Sequence, residues 1–448
     1  MDHKPVVTRI PPSPTGRLHI GTVRTALFNY LFAEKHGGHM IFRSEDTDQA
    51  RSKREYEEEI IAGLSWLGLR WQNETIYRQS ERTAIYKTYL EKLIAAGTAY
   101  ASKEPSKQNP EEMIEVIRLK NPNKAITFLD EIRGEITFDT TELGDFVIAR
   151  SIEDALYHFT VVVDDHEMGI THVIRGEDHI SNTPRQILIQ EAIGATRPHY
   201  AHLPLILAPD RSKMSKRHGA VALIEYQKEG FLKEAIVNYL ALLGWSPGTD
   251  QEFFSLEELA ERFDLAQVQK GGAIFDKQKF TWFNRHYLAQ LSDDELRAYL
   301  AAEEFFSALP QFSNERLEKL LPTIRERIST KKEFEEQAKA GEYHFAFAVP
   351  DYEVSLLKWK KDETVASAAP RLLHLKKLLT VADFSSPEAV KGAIWPYAEE
   401  VGKGEVLWPL RVALSGREQS PDPFTLAFIL GQEETESRLQ FAYDKIAA

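Results

Sequence analysis

Two loops far apart in the chain carry side chains suited to gripping a polyphosphate. The first is RIPPSPTGRLHIGTVRTALFN, Arg9 to Asn29. Here Ser13, Thr15, Gly16 and Gly21 allow close backbone approach, while Pro11, Pro12 and Pro14 reduce the freedom the loop must lose to hold one shape. His19 stands where a helix is expected to begin. A helix start offers unpaired N–H groups and partial positive charge, which suits phosphate, and the imidazole can donate to a phosphate oxygen. The second loop is DRSKMSKRHG, Asp210 to Gly219, whose Lys213, Lys216 and Arg217 could clamp a triphosphate and offset charge building on a leaving pyrophosphate. Alone, HIG is a common three-residue match, and the basic loop could equally be a solvated one. Their order along the chain makes the pair informative.

The elements around them supply that order. VVTRI reads as a buried strand, TVRTALFNYLFAEKHGG as a helix with Val23, Leu27, Tyr30 and Leu31 on one face and Gly37-Gly38 as its stop, and HMIFRSED as a second strand. That βαβ unit predicts a parallel α/β sheet with ligands beyond the carboxyl ends of its strands. Helices are expected around Tyr56 to Leu67 and Arg82 to Ala96. From Thr98 to Ile152 the pattern turns polar and strand-like (VIRLK, GEITFD, DFVIAR), as an insertion splitting the sheet domain would. YHFTVVVDD and MGITHVIRG read as resumed strands, followed by a helix from Thr183 to Ile193 and by LPLILA before the basic loop. His19 therefore follows the first strand and Lys213 leaves the last, at one sheet edge. After Gly219 the pattern is almost wholly helical, and from Ala301 an all-α domain is expected.

Composition narrows the function classes. The 448 residues suggest several domains, and 43% hydrophobic with 27% charged residues describes a globular chain with no apolar run near the roughly 18 to 20 residues a membrane span needs. The start, MDHKPVVTRI, shows no signal core or Arg-rich leader, so a cytoplasmic location is expected. There is no cysteine, which removes disulfides, thiolate catalysis and Cys-containing zinc sites. Any metal must be held by carboxylates, His or ligand phosphates. A net charge of -13 argues against indiscriminate nucleic-acid coating, though RSKMSKRH, IRERISTKKEF and LLHLKKLL could form local basic faces. DDH, Asp164 to His166, reads as a tight turn between strands. His199 and His202 come nearest to a metal-ligand spacing and read as surface residues near a turn.

The two loops resemble the HIGH and KMSKS signatures of class I aminoacyl-tRNA synthetases. PPSPTGRLHIGTVRTALFNYLFA, FRSEDTD, VVVDDHEMGITHVIRGEDHISNTPRQ, KMSKRHG, GGAIFDKQKFTWFNRHYL, WPLRVALSG and SPDPFTLAFILG are similar to bacterial-type glutamyl-tRNA synthetases over nearly the whole chain. The resemblance implies activation of L-glutamate by ATP to glutamyl-adenylate and transfer to the terminal adenosine of tRNA-Glu, with tRNA-Gln left open. It implies a Rossmann-like catalytic domain in two halves (1–97 and 153–211), a shortened α+β acceptor-end insertion (98–152), a KMSKS-loop and stem-contact helical domain (212–300) and an all-α anticodon-binding domain (301–448). It also implies Mg2+ held mainly by the ATP phosphates, no membrane partner and a monomer; no zinc is expected, because there is no Cys and the His residues are scattered without a ligand spacing.

Residue by residue, Arg9 falls where the family reads the substrate side-chain carboxylate, helped by Tyr157, and Arg175 falls near the amino-acid carboxylate. Ser13 and Glu45 match the positions that receive the ammonium. His19 and Gly21, within the HIGH region Pro12, Ser13, Pro14, Thr15, Gly16, Leu18, His19, Ile20, Gly21 and Thr22, steady the α-phosphate. Lys213 and Lys216, within Lys213, Met214, Ser215, Lys216 and Arg217, clamp the β- and γ-phosphates. Thr15, Asp178 and His179 fall at ATP or pocket positions. A structural ion pair at strand ends is the plainer alternative for Arg9 and Glu45, and a satisfied core aromatic for Tyr157.

Three departures stand out. HIGT lacks the second His; Val161 replaces an Asn that some relatives place beside the substrate; and the insertion is short, AYASKEPSKQ being unable to form the Cys-rich zinc site of many relatives. A small-molecule adenylyltransferase would not need the long helical stretch after Gly219. A non-catalytic tRNA binder would not need His19, Lys213, Lys216, Arg9 and Glu45 together. A glutaminyl enzyme is expected to end in β-barrels, and a glutamyl transferase for modified tRNA to lack the C-terminal domain.

Overall fold

The apolar run Val7–Ile10 forms β1, which leads through the proline loop into α1 (Ile20–Lys35) and returns to β2 (His39–Ser44) in the computed structural model, which describes residues 5–105, 111–215 and 222–448. β1 and β2 pair in parallel, from Val7 opposite His39 to Ile10 opposite Phe42. Gly37 takes a φ of 61°, and a Cβ on Gly38 would lie 1.9 Å from the Val6 carbonyl oxygen, so the stop after α1 requires both glycines. α1 is buried from Ala26 to Ala33 without a break, so it is a core helix rather than the one-faced helix expected. α2 (Arg54–Trp66), β3 (Tyr77–Arg78) and α3 (Thr83–Ala95) follow, with β3 parallel to β2.

The next segment holds β4 (Ala99–Pro105), β5 (Met113–Leu119), β6 (Ala125–Asp130), β7 (Gly134–Asp139), β8 (Phe146–Ser151) and β9 (Asp154–Ala155). β4, β5, β8 and β9 form an antiparallel sheet of their own. β6 and β7 form a hairpin that joins the parallel sheet through Asp130 opposite Tyr200. Alternate residues of β6 are buried, and Phe128 meets the Tyr200 ring edge-on at 5.5 Å, which draws the hairpin to the sheet.

α4 (Tyr157–Glu167), β10 (His172–Gly176), α5 (Thr183–Ile193), β11 (His199–Leu203) and β12 (Ile206–Leu207) complete the α/β layer. β10 starts beside β1, where the Thr171 N–H donates to the Val7 carbonyl at 2.9 Å, so the parallel strands run β3, β2, β1, β10, β11. The order reverses between β1 and β10, and a ligand crevice belongs there. One element corrects the sequence reading: YHFTVVVDD is not a strand but α4, and Asp164 to His166 lie in that helix, not in a turn. Val161, Val162 and Val163 imitate a buried strand, yet helix and strand are indistinguishable by periodicity when every side is buried, as it is from Phe159 to Asp165.

Beyond the basic loop come α6 (Leu223–Glu229), α7 (Lys233–Leu242), α8 (Leu256–Arg262) and β13 (Ala273–Ile274), a short strand parallel to β12 within the segment expected to be helical. Ser255 caps α8 by accepting from the Glu258 N–H, and Glu258 answers on the Ser255 N–H. The chain divides into two compact units, Met1–Phe283 and Asn284–Ala448. The described residues of the second are helical and turn structure, from Asp293–Leu300 to Gln432–Ala447. Its core holds Arg438, whose guanidinium donates to the carbonyls of Phe345, Leu414 and Ala348 and pairs with Glu434 at 2.8 Å. No helix among the described residues is long and apolar enough to cross a membrane.

Candidate active site

At the carboxyl ends of β1 and β10 lies a cavity of about 490 Å³. Of the residues predicted from sequence, Arg9, Pro11, Pro12, Ser13, His19, Gly21, Thr22, Glu45, Tyr157, Arg175, Asp178, His179, Lys213 and Met214 line it, together with Val161. Thr15 sits instead on an adjoining cavity of about 760 Å³ that shares Ser13, Glu45 and Tyr157, and Pro14 faces a third. Leu18 and Ile20 are buried and anchor the loop, while a Cβ on Gly16 would meet nothing within 4 Å. Ser215 is not among the lining residues, and Lys216 and Arg217 lie outside the described residues.

His19 is the N-cap of α1, and its Nδ1 accepts from the Gly21 N–H at 3.1 Å. That N–H, expected to face a ligand, is taken by the imidazole. The hydrogen of the neutral ring is therefore on Nε2, which becomes the donor. Burial, with Lys213 nearby, lowers the His19 pKa and keeps the ring neutral. The chain after β12 folds back so that Met214 N–H donates to the Ile206 carbonyl at 3.2 Å, with Arg211 at a φ of 63° in the turn. This return carries Lys213 to within 3.4 Å of Asp178.

The two arginines differ in how they are held. Arg9, buried on β1, has only long contacts: Nε to Asp165 at 3.4 Å and Nη1 to the Ile174 carbonyl at 3.5 Å. Arg175, buried on β10, donates to His202 Nε2 at 3.1 Å, Gln186 Oε1 at 2.7 Å and Thr183 Oγ1 at 2.8 Å. All three partners are neutral, and burial lowers the Arg175 pKa. His202 is in turn fixed by Asp130, whose Oδ2 lies 2.5 Å from Nδ1 and 3.1 Å from the backbone N–H. His202 is fully buried, so the expectation of a surface residue near a turn is overturned for it; its backbone is an inner strand.

Glu45 pairs with Arg43 at 3.0 Å, not with Arg9, and its burial raises its pKa. Arg43 also reaches Asp165 at 2.7 Å and Asp164 at 3.7 Å. Asp164 further accepts from Gln79, Arg82 and Tyr86 at 2.7 to 2.9 Å. Burial alone would raise the Asp165 pKa, yet Arg9 and Arg43 bring it below the usual range. Tyr157 OH lies 3.4 Å from His179 Nδ1, and its own pKa is pushed up to about 12 by burial and by Glu45.

The profile described as tRNA synthetases class I (E and Q), catalytic domain, matches residues 5–115 and 102–282, and an anticodon binding domain profile matches residues 294–443. The chain is 38% identical to glutamate–tRNA ligase 2 of Caldicellulosiruptor saccharolyticus, over 98% of this chain and 99% of that protein. It is 40% identical to the glutamate–tRNA ligase of Carboxydothermus hydrogenoformans, over 97% and 99%. The chain belongs to the glutamate–tRNA ligase family of class I aminoacyl-tRNA synthetases. A crystal structure of a glutamate tRNA ligase from Elizabethkingia meningosepticum in complex with its amino acid superposes with a TM-score of 0.85 at 32% identity, covering 98% of this chain and 99% of that one.

Several residues of this class I synthetase's site escaped the sequence reading. Asp165 was hidden by reading α4 as a strand, and Arg43, in FRSED, sat beside the singled-out Glu45 without a visible partner. Arg24 lines the cavity from α1, donates to the carbonyls of Pro204 and Leu243, and has its pKa brought down to about 10 by burial. No local pattern announces it. Asp130 and His202 are distant in sequence and meet only across β6 and β11.

Proposed function

We propose that the cavity binds L-glutamate and ATP and forms glutamyl-adenylate, which the enzyme then transfers to the terminal adenosine of tRNA-Glu. The carrying observation is Arg175: a buried guanidinium whose three close partners are neutral lacks an anion, and a substrate carboxylate supplies one. Arg9, with its long contacts, keeps capacity for the second carboxylate beside Tyr157. Ser13 and Glu45 receive the ammonium, which would offset the cost of a buried Glu45 carboxylate.

On this reading the Nε2–H of His19 steadies the α-phosphate, with Gly21 leaving room for its close approach, Lys213 and Lys216 hold the β- and γ-phosphates, and Thr15, Asp178 and His179 serve the rest of ATP. Mg2+ neutralises phosphate charge when bound. The lining carboxylates Glu45 and Asp178 are already paired with Arg43 and Lys213, which supports a metal held mainly by phosphates. Residues 98–152 meet the acceptor end, 212–300 the stem and 301–448 the anticodon. The catalytic halves are 1–97 and 153–211. A monomer working in the cytoplasm, where tRNA is charged, completes this reading.

Glutamate-dependent ATP–pyrophosphate exchange tests this reading. Exchange is expected only with cognate tRNA present. Equal exchange without RNA removes the tRNA requirement, and exchange with glutamine but not glutamate overturns the substrate. Transcripts of tRNA-Glu and tRNA-Gln charged side by side decide whether both are substrates.

A further inference from the structure

Three ligand-type side chains meet at the other end of the parallel strands. Glu131 follows β6, and His172 and His199 open β10 and β11, where they are register partners. The donor atoms of all three lie within 4.8 Å of one another. The two imidazoles stack at 4.7 Å with 14° between their planes, and His199 Nδ1 lies 3.2 Å from Glu131 Oε1. Arg175, on the cavity, is three residues further along β10, or about 10 Å at strand rise, so this cluster is separate from the glutamate pocket.

We propose that Glu131, His172 and His199 form an exchangeable binding site for a first-row divalent transition metal such as Zn2+. Two imidazoles and one carboxylate suit that ion, leaving a fourth position for water. The edge of a tetrahedron with bonds of about 2.0 Å is roughly 3.3 Å. The His199–Glu131 separation of 3.2 Å already has that length. Closing the rest of the site requires only side-chain rotation, because the backbones are pinned: Glu131 N–H donates to the Tyr200 carbonyl at 2.8 Å, and His199 N–H to the Thr171 carbonyl at 2.9 Å.

Thr171 prepares His172. Its Oγ1 accepts from the Val7 N–H at 2.8 Å and lies 3.2 Å from the Val7 carbonyl and 2.8 Å from His172 Nδ1. With its hydrogen given to Val7, the hydroxyl accepts Nδ1–H, and the Nε2 lone pair of His172 is left for the metal. The expectation of no zinc rested on the absence of Cys and on His spacing along the chain, and this cluster draws on positions 131, 172 and 199, where no spacing motif exists.

The test is titration of the full-length enzyme with Co2+, followed by its visible absorption, with Zn2+ as competitor. One equivalent should bind with the intense bands of a four-coordinate site, and Zn2+ should displace it. His199→Ala and Glu131→Gln, both at exposed positions, should each weaken binding by about 10-fold or more while leaving aminoacylation with MgATP, measured without added transition metal, and the circular dichroism spectrum unchanged. Binding of equal strength in both variants would place the metal elsewhere, and no band at one equivalent would remove the site; either result overturns the proposal.

Discussion

His202 accepts a hydrogen bond from Arg175 at 3.1 Å through Nε2 while its Nδ1 lies 2.5 Å from Asp130. The two contacts assign the tautomer: Nδ1–H donates to the carboxylate, and Nε2 is an acceptor. Burial lowers the His202 pKa against the pull of Asp130, so the ring stays neutral and does not oppose the guanidinium it orients. A protonated His202 would have no lone pair for Arg175.

His202→Phe should therefore act through Arg175. Hydrogen bonds to charged groups contribute about 1.5 to 3 kcal/mol, or roughly ten- to a hundredfold in kcat/KM for glutamate. The KM for ATP should change little. Because a cavity or misfolding could mimic this, the decisive comparison is between substrates: equal losses for glutamate and ATP would assign His202 a purely structural role.

Arg9→Ala should weaken glutamate binding without unfolding the protein, since Arg43 still neutralises Asp165 at 2.7 Å. Losing one partner of a desolvated charge pair costs about 2 to 5 kcal/mol. Steady-state kinetics with glutamate, alongside a melting curve, read this directly. Unchanged KM and kcat at normal stability would return Arg9 to the structural ion-pair reading.

Lys216 lies outside the described residues, and its expected role follows from its place in KMSKRHG. If it offsets charge growing on the departing pyrophosphate, Lys216→Ala should lower kcat for adenylate formation about 10²-fold or more, equivalent to roughly 3 kcal/mol. ATP KM should move much less. Transfer from preformed glutamyl-adenylate should be affected less, the pyrophosphate having already left. Single-turnover kinetics on both half-reactions separate these outcomes, and a rise in ATP KM alone would make Lys216 a binding residue.

Stability should fall in mildly acidic solution because of two largely buried histidines, His158 and the pocket residue His179. Burial lowers the pKa of His158, aided by Arg185 and Arg175, and of His179, aided by Arg175, to about 4 in each case. In the unfolded chain each titrates near 6.5. The unfolded state therefore binds more protons between those values, and stability drops as pH falls from about 6.5 towards 4. Depressed carboxylates such as Asp130 and Asp165 add their loss only below the unfolded carboxylate range, near 3.9. Imidazole 15N shifts at pH 5.5 should show both rings neutral. Charged rings at that pH would contradict the burial argument.

Much of the site was legible because its parts are local. The proline loop, the left-handed turn at Gly37 and the His at the helix start act within a few residues of themselves, and sequence spacing records such constraints directly. Arg9, Glu45, Tyr157 and Arg175 were found by resemblance, and their partners were not. Asp165 belongs to a helix whose valines mimic a strand, and Asp130 meets His202 across two strands, so neither pairing leaves a periodic trace.

The amino-acid sequence by itself determined the βαβ opening, the succession of parallel-sheet, strand-rich and helical segments, and the absence of any cysteine-based chemistry, because these depend on residue type and near-neighbour order. Only the tertiary structure decided that Arg175 is held by neutral groups while Arg9 faces Asp165, that the β6–β7 hairpin joins the parallel sheet, and that Glu131, His172 and His199 converge. The reason is physical: the energy of a buried charge depends on what stands within a few ångströms of it, and those neighbours come from strands and helices far apart in the chain.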